Sequence, residues 1–267
     1  MSSTVNSTVI QRAPRRDLAV LLHQIRYEQL TFWRNPQSAF FTFVLPVVVI
    51  AVFGLMFDST TPSPYFGGLS ALQYYVTTLA AMSVLGSCYS QLAIVLSTRR
   101  QNGILKRVRA TPLPPWMYFV GLLAHCVMVS IVDVLLIVGV GRLYNVPIPS
   151  AAAWLPVAVT LVLGSASFCA LGFAVASLIR NAEAAPAVVQ FILFPLVFMS
   201  GTYMPVHNAI LENITGVLPV RPFNQALLQA IGPDGGFAWR HLLVLVLWGV
   251  LGAAVAVRRF RWDPRPE

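Results

Sequence analysis

The sequence predicts an all-α integral membrane protein with six transmembrane helices, an N-terminal amphipathic interfacial helix and a capping extracellular segment between helices five and six. Three observations carry this. First, 57% of the 267 residues are hydrophobic, only 10% are charged, and the mean hydropathy is +0.72. A soluble domain carries about 25% charged residues, so this chain is too poor in charge to coat a water-facing surface. Disorder is excluded by the same composition. Second, six stretches nearly free of charge approach the roughly 20 residues a helix needs to cross a bilayer. Third, fifteen of the eighteen Lys and Arg fall in segments that alternate to one side of those stretches.

In chain order, residues 1–16 begin with a polar run (MSSTVNSTVIQR) and read as disordered. They lack the apolar core of a cleaved signal peptide, so no N-terminal processing is expected. Residues 17–35 read as an amphipathic elbow helix, with Asp17 as N-cap and Asn35-Pro36 as stop. Leu18, Leu21, Leu22, Ile25, Phe32 and Trp33 gather on one side, with His23, Gln24 and Glu28 facing away. Residues 36–260 form the six-helix domain. Its spans cover about Ala39–Phe57, Leu72–Ser97, Trp116–Gly141, Ala153–Ile179, Ala184–Gly201 and His241–Val257. Between the last two, 202–240 is divided by Pro205, Pro219, Pro222 and Pro233. Two short amphipathic helices around Ala209–Leu218 and Ala226–Ile231 are expected there, dipping toward the membrane or capping the bundle. Residues 261–267 are a cytoplasmic tail.

The charge asymmetry sets the orientation. The N-terminal segment, the loop after span two, Arg180 after span four and the C-terminal tail carry the excess of Arg, which places both termini in the cytoplasm of a plasma-membrane protein. The net charge of +9 is therefore read as positive-inside bias, with no nucleic-acid partner implied. Trp33, Trp116, Trp154, Trp239 and Trp262 sit near span ends; Trp248, inside span six, does not. Cys88, Cys126 and Cys169 lie in apolar stretches without ligand spacing and read as packing residues, so neither a disulfide nor a metal is expected.

The cytoplasmic stretch Arg99–Pro115 (RRQNGILKRVRATPLPP) sets Ile104, Leu105 and Val108 at helical spacing beside Lys106, Arg107 and Arg109. Composition alone makes it a positive-inside loop, but Ile104 and Leu105 in a water-facing loop point to a protein partner. Gly103 is expected to permit close backbone approach there, and Leu105→Asp to lose the partner while leaving the spans intact. Within the spans, Asp133 is the one deep acid. A carboxylate at that depth costs about 2.5–3.5 kcal/mol on insertion scales, so it should face the bundle or a cavity. It reads either as a site for a cationic amphiphile or a proton, or as a carboxyl satisfied by Ser or Thr across helices. His125, two turns earlier, could share part of its face but is more simply a packed side chain. Pro46 and Pro195 kink spans one and five, and with Phe41 and Phe198 complete a candidate substrate path. Gly164, Ser165, Ala166, Ser167 and Gly172 allow close packing of span four.

The run Arg100-Gln101-Asn102-Gly103-Ile104-Leu105-Lys106-Arg107-Val108-Arg109-Ala110-Thr111-Pro112 resembles the cytoplasmic loop of ABC-2 type permeases, above all those of bacterial drug exporters of the daunorubicin-resistance kind. That family's loop reads approximately R-E-x-G-T-L-x-R-L-R-A-T-P. Pro195-Leu196-Val197-Phe198-Met199-Ser200-Gly201-Thr202-Tyr203-Met204-Pro205 and Leu218-Pro219-Val220-Arg221-Pro222 match two further family patterns. The likeness extends over the whole chain in span order and loop length, with Gln101 replacing the family's usual Glu.

The resemblance implies an ATP-driven exporter of a hydrophobic or amphipathic small molecule. This chain would pair with a second permease copy or a paralogue and with two copies of a separate ATP-binding subunit. Gln101, Gly103, Ile104, Leu105, Lys106, Arg107 and Arg109 would form the ATPase coupling helix, with Arg180 in a second contact. Export of a lipid or a cell-envelope polysaccharide is the alternative. No catalytic residue is expected. The chain itself needs no cofactor, ATP and Mg being held by the partner, since a phosphate loop requires G-x-x-x-x-G-K-[ST] and the only lysine, Lys106, precedes Arg107. An intramembrane serine protease fits poorly because Gly164-Ser165-Ala166-Ser167 is not G-x-S-G. A secondary transporter fits poorly because no inverted repeat is visible.

Overall fold

The computed structural model describes residues 14–57, 59–147, 149–203, 209–232 and 235–260. The sequence expectations for 1–13 and for the tail 261–267, together with Met204, Pro205, Pro233 and Asp234, lie outside these. Among the described residues every extended element is helical: α1 Pro14–Trp33, α2 Pro36–Met56, α3 Ala71–Gln101, α4 Ile104–Arg109, α5 Pro115–Leu143, α6 Trp154–Leu178, α7 Ala185–Met199, α8 Ala209–Val217, α9 Val220–Ile231 and α10 Trp239–Arg259.

Five helices are long and apolar enough to cross a bilayer: α2, α3, α5, α6 with the turn before it, and α10. The stretch read as a fifth span is a 15-residue helix, α7. At about 1.5 Å per residue it covers roughly 22 Å, short of a 30 Å hydrocarbon core. The uncharged run continues to Gly201, but the helix ends at Met199. Gly201 then turns at φ 81°, a left-handed conformation that suits glycine. Exposed faces are strongly apolar, as a lipid-facing bundle requires; Leu55 and Phe191 are each 81% exposed.

Two helices form the centre. α3 and α6 bury most of their length, whereas α2 and α10 bury little of theirs. α3 contains a π-helical turn at Gly86–Gln91 that pushes the carbonyls of Cys88 and Tyr89 toward Gly172 of α6. α6 and α10 meet backbone to backbone. A Cβ added at Gly252 would lie 2.9 Å from the Ala170 carbonyl carbon and the Leu171 nitrogen. Gly252→Val should therefore lower stability by about 1–3 kcal/mol through overpacking, read as a lower unfolding temperature of the purified chain in detergent. Of the small residues expected to let α6 pack closely, Ser167 meets Gly249 of α10, Gly164 meets Phe223 and Gly172 meets α3.

α8 forms as the sequence predicts, whereas α9 starts at Val220, six residues before the expected Ala226, and is inserted among the helices instead of resting over their ends. Eight of its twelve residues are buried, and it packs on α3, α6 and α10. Its Phe223 ring lies 5.2 Å from that of Phe168, halfway along α6. Trp248 explains itself here: midway along α10, its Nε1–H donates to the Val217 carbonyl at the end of α8, 2.7 Å away. Arg221 binds Thr215 (2.6 Å) and Glu212 (2.8 Å), and Asn224 donates to Thr202 (2.7 Å), so the donors taken inward are paired, while Asn224 Oδ1 has no partner.

α1 departs from its predicted limits and facing. It starts at Pro14, a residue suited to a first helical turn, so 14–16 are helical and Asp17 sits in the first turn, where the helix dipole favours an acid. Glu28, expected to face away, is 2% exposed, while Leu18, Leu22 and Trp33 are more than half exposed. The inward face is mixed: Phe32 is buried with Glu28, Leu21 and Ile25 are half-buried, and His23 stays exposed.

Candidate functional site

Two regions stand out, one at the basic C-terminal end of α3 and one within the bundle. In the first, α3 ends at Gln101 and α4 starts three residues later, at Ile104. Gly103 makes this turn at φ 70°, with open space around it. Within the chain its role is the reversal, and the open space beside it leaves room for another backbone to approach. The reversal sets α4 at the bundle's end with Ile104, Lys106, Arg107 and Arg109 exposed.

Leu105 does not share that face. It is 0% exposed and belongs to the main core, with Val108 packed beside that core. The expectation that both Ile104 and Leu105 turn outward is therefore corrected: i and i+1 point about 100° apart on a helix, so a six-residue helix lying on a bundle must bury one of them. Ile104, 40% exposed, is the apolar residue left on the surface.

Three side chains that sequence reasoning had not assigned to this work hold α4's base in place. Arg100, only 3% exposed, donates to the carbonyls of Ala176 (2.9 Å) and Ile179 at the end of α6. A helix C-terminus leaves such carbonyls without partners, and a guanidinium satisfies them well. Gln101 Oε1 accepts from the Ala182 N–H at 2.6 Å. The amide thus joins the α3–α4 turn to the loop that carries exposed Arg180, so the two segments expected to meet a partner are adjacent. Gln101 itself stays exposed. Arg99 forms a two-pronged pair with Glu28 of α1 (2.7 and 2.9 Å) and donates to Tyr118 Oη (3.0 Å), while Gln24 donates to Glu28 (3.1 Å). A visible signal was available: Gln24 and Glu28 stand at i and i+4 on a helix laid against apolar surface, where polar groups need partners.

In the second region, α2, α3, α5 and α7 enclose an open-sided cavity of about 750 Å3. Phe41, Pro46 and Asp133 line it, as the sequence suggested. Pro195 and Phe198 do not; both are exposed on the outer side of α7, and Phe198 is 66% exposed. Asp133 is 0% exposed and accepts a hydrogen bond from Ser83 at Oδ2, while Oδ1 has no partner. His125 is separate from it. Its ring lies 5.4 Å from that of Phe32, in a smaller pocket that also contains Glu28 and Arg99. Gln91, in the π-helical turn, donates to Ser38 (2.8 Å) and borders both spaces, tying α2 to α3. The three cysteines are free thiols buried in the core.

Against known proteins, a family described as "ABC-2 type transporter" matches residues 21–231. A curated relative, "Putative transport permease YvfS" of Bacillus subtilis (strain 168), is 22% identical over 234 residues, covering 87% of this chain and 93% of its own length. "Probable multidrug ABC transporter permease YbhR" of Escherichia coli (strain K12) is 24% identical over 190 residues, 70% of this chain and 50% of its own length.

Proposed function

Since the chain belongs to the ABC-2 type transporter family, we propose that it is the permease of an exporter driven by a separate ATP-binding subunit and that its cargo is a hydrophobic or amphipathic small molecule. The family works with an ATP-binding subunit, and the chain is a multi-pass membrane protein. The composition of the complex is part of the proposal: two permeases, identical or paralogous, and two ATPases that hold ATP and Mg. So are the plasma-membrane location, the cytoplasmic termini and a sixth crossing made by short α7.

The observation that carries this reading is α4, an exposed basic helix with a lone surface isoleucine that is fastened to the rest of the chain at its base. Arg100 and Gln101 bind the ends of α3 and α6 into one block. Displacement of α4 by a moving partner would therefore reach α3 directly. Because α3 supplies Ser83, Ser87, Ser90 and Gln91 to the cavity wall, the same displacement would reshape the cavity. A cavity of this size is in the range that holds drug-sized molecules. Its largely apolar lining disfavours a polysaccharide, and the printed description of YbhR favours a drug-like cargo over a lipid.

The test is purification from the native host with and without its ATP-binding partner, in vesicles. The pure chain should hydrolyse no ATP. The complex should hydrolyse it and should export fluorescent amphiphiles. Hydrolysis by the pure chain, or a complex that moves only lipid or polysaccharide, would refute the reading.

A further inference from the structure

The cavity described above contains a feature that export of an apolar molecule does not need. Among the described residues that line it, Asp133 is the one acid and no Arg or Lys is present. The carboxyl is fully buried, with Oδ1 unpartnered, and Ser90, 7% exposed in the same wall, has an unpartnered hydroxyl. Ser83, half-buried between Asp133 and the open space, gives its only proton to the carboxyl, so its remaining valence toward the cavity is lone pairs. Ser87 likewise gives its hydroxyl to helix carbonyls 3.2 Å away. The polar spot on this wall accepts hydrogen bonds and carries negative potential; Leu79, Met82, Ile94 and Leu193 are among the apolar lining residues, with Gln91 and Gln190 as neutral polar ones.

We infer that this is a cargo subsite for a protonated amine on an apolar body: the ammonium donates to Ser83 and supplies the counter-charge for Asp133 that the protein withholds. A buried acid without a cation is costly, and a cationic cargo removes that cost on binding. An anionic cargo would meet repulsion there, and a neutral one would leave the acceptors unpaired. The inference rests on the permease reading, and goes beyond it by naming the chemical class.

The test uses the full chain in lipid nanodiscs with two probes that share one body: dansylcadaverine, a primary amine, and its neutral N-acetyl derivative. Fluorescence anisotropy should show the amine bound about tenfold more tightly than the acetylated probe, as expected for one desolvated charge pair. Asp133→Asn should bring the ratio close to one while the acetylated probe binds as before, which also reports an intact cavity. Ser83→Ala, which removes a single hydroxyl, should cut the preference about three- to tenfold, and decides the matter if Asp133→Asn does not fold. Equal binding of both probes by the unaltered chain, or a preference that survives these substitutions, overturns the inference and leaves Asp133 as a helix-to-helix tie. If both probes bind equally while the ATPase complex still exports the neutral one, the inference fails and the permease reading stands. Amine preference in a chain that recruits no ATPase has the reverse meaning.

Discussion

Leu105→Asp is expected to prevent accumulation of folded chain, whereas Ile104→Asp, one residue earlier, is expected to leave folding intact and to lose the ATPase. Leu105 is 0% exposed within the core. Truncating such a leucine costs about 2–5 kcal/mol. Putting an unpaired carboxylate in its place adds several kcal/mol more, of the order of a domain's whole stability of about 5–15 kcal/mol. Ile104 is 40% exposed on the outer face of α4, so the same change there costs the fold little. In a contact with the ATPase it would bury a lone charge, a loss of about 2–5 kcal/mol. Detergent-extracted yield and size-exclusion profile report the first effect, and co-purified ATPase the second. A folded Leu105→Asp chain would show that the core placement is wrong. Wild-type ATPase recovery with Ile104→Asp would show that α4 is only a positive-inside signal.

The second large effect is expected at the joint between α1 and α3. Glu28→Ala should lower stability by about 3–5 kcal/mol, because it leaves the Arg99 guanidinium buried without a counter-charge. Arg99 is 14% exposed at the side chain and its two prongs to Glu28 are both short. Replacing both partners, as Glu28→Leu with Arg99→Met, should recover most of that loss, since a buried pair and a well-packed apolar pair are often close in free energy. Thermal unfolding in nanodiscs and hydrogen exchange along α1 would measure both. A double variant no better than the single would mean that the pair is not the tie; neighbouring Gln24 and Tyr118 would then carry it.

The sequence made the class, the helix order and the basic segment after α3 legible, because each depends on local composition and length. Gln101 and Arg100 show the limit. Both were visible as family-like residues, yet what they bind lies about eighty positions away, at Ala182, Ala176 and Ile179, and no local pattern encodes such a partner. Asp133 could be flagged as a costly residue in a span, but Ser83 across the helix interface and the cavity beside it needed four helices to be brought together. Pro195 and Phe198 satisfied the pattern equally well and lie on the outside of α7. Trp248 looked like an exception until its partner, Val217, was in place.

What the sequence by itself determined is that this chain lives in a bilayer, how its apolar helices follow one another, and where its basic surface falls. Those follow from transfer free energies, which each segment pays on its own. Only the tertiary structure decided which side of each helix turns inward. In water an apolar stripe identifies the inner face, but in a membrane lipid and protein are equally apolar, so on α1 Leu18, Leu22 and Trp33 stay exposed while Phe32 turns inward together with Glu28, which pairs with Arg99. The same ambiguity separated Ile104 from Leu105, and Phe41 from Phe198. Packing and the pairing of buried polar groups resolved it, and both are properties of the assembled bundle.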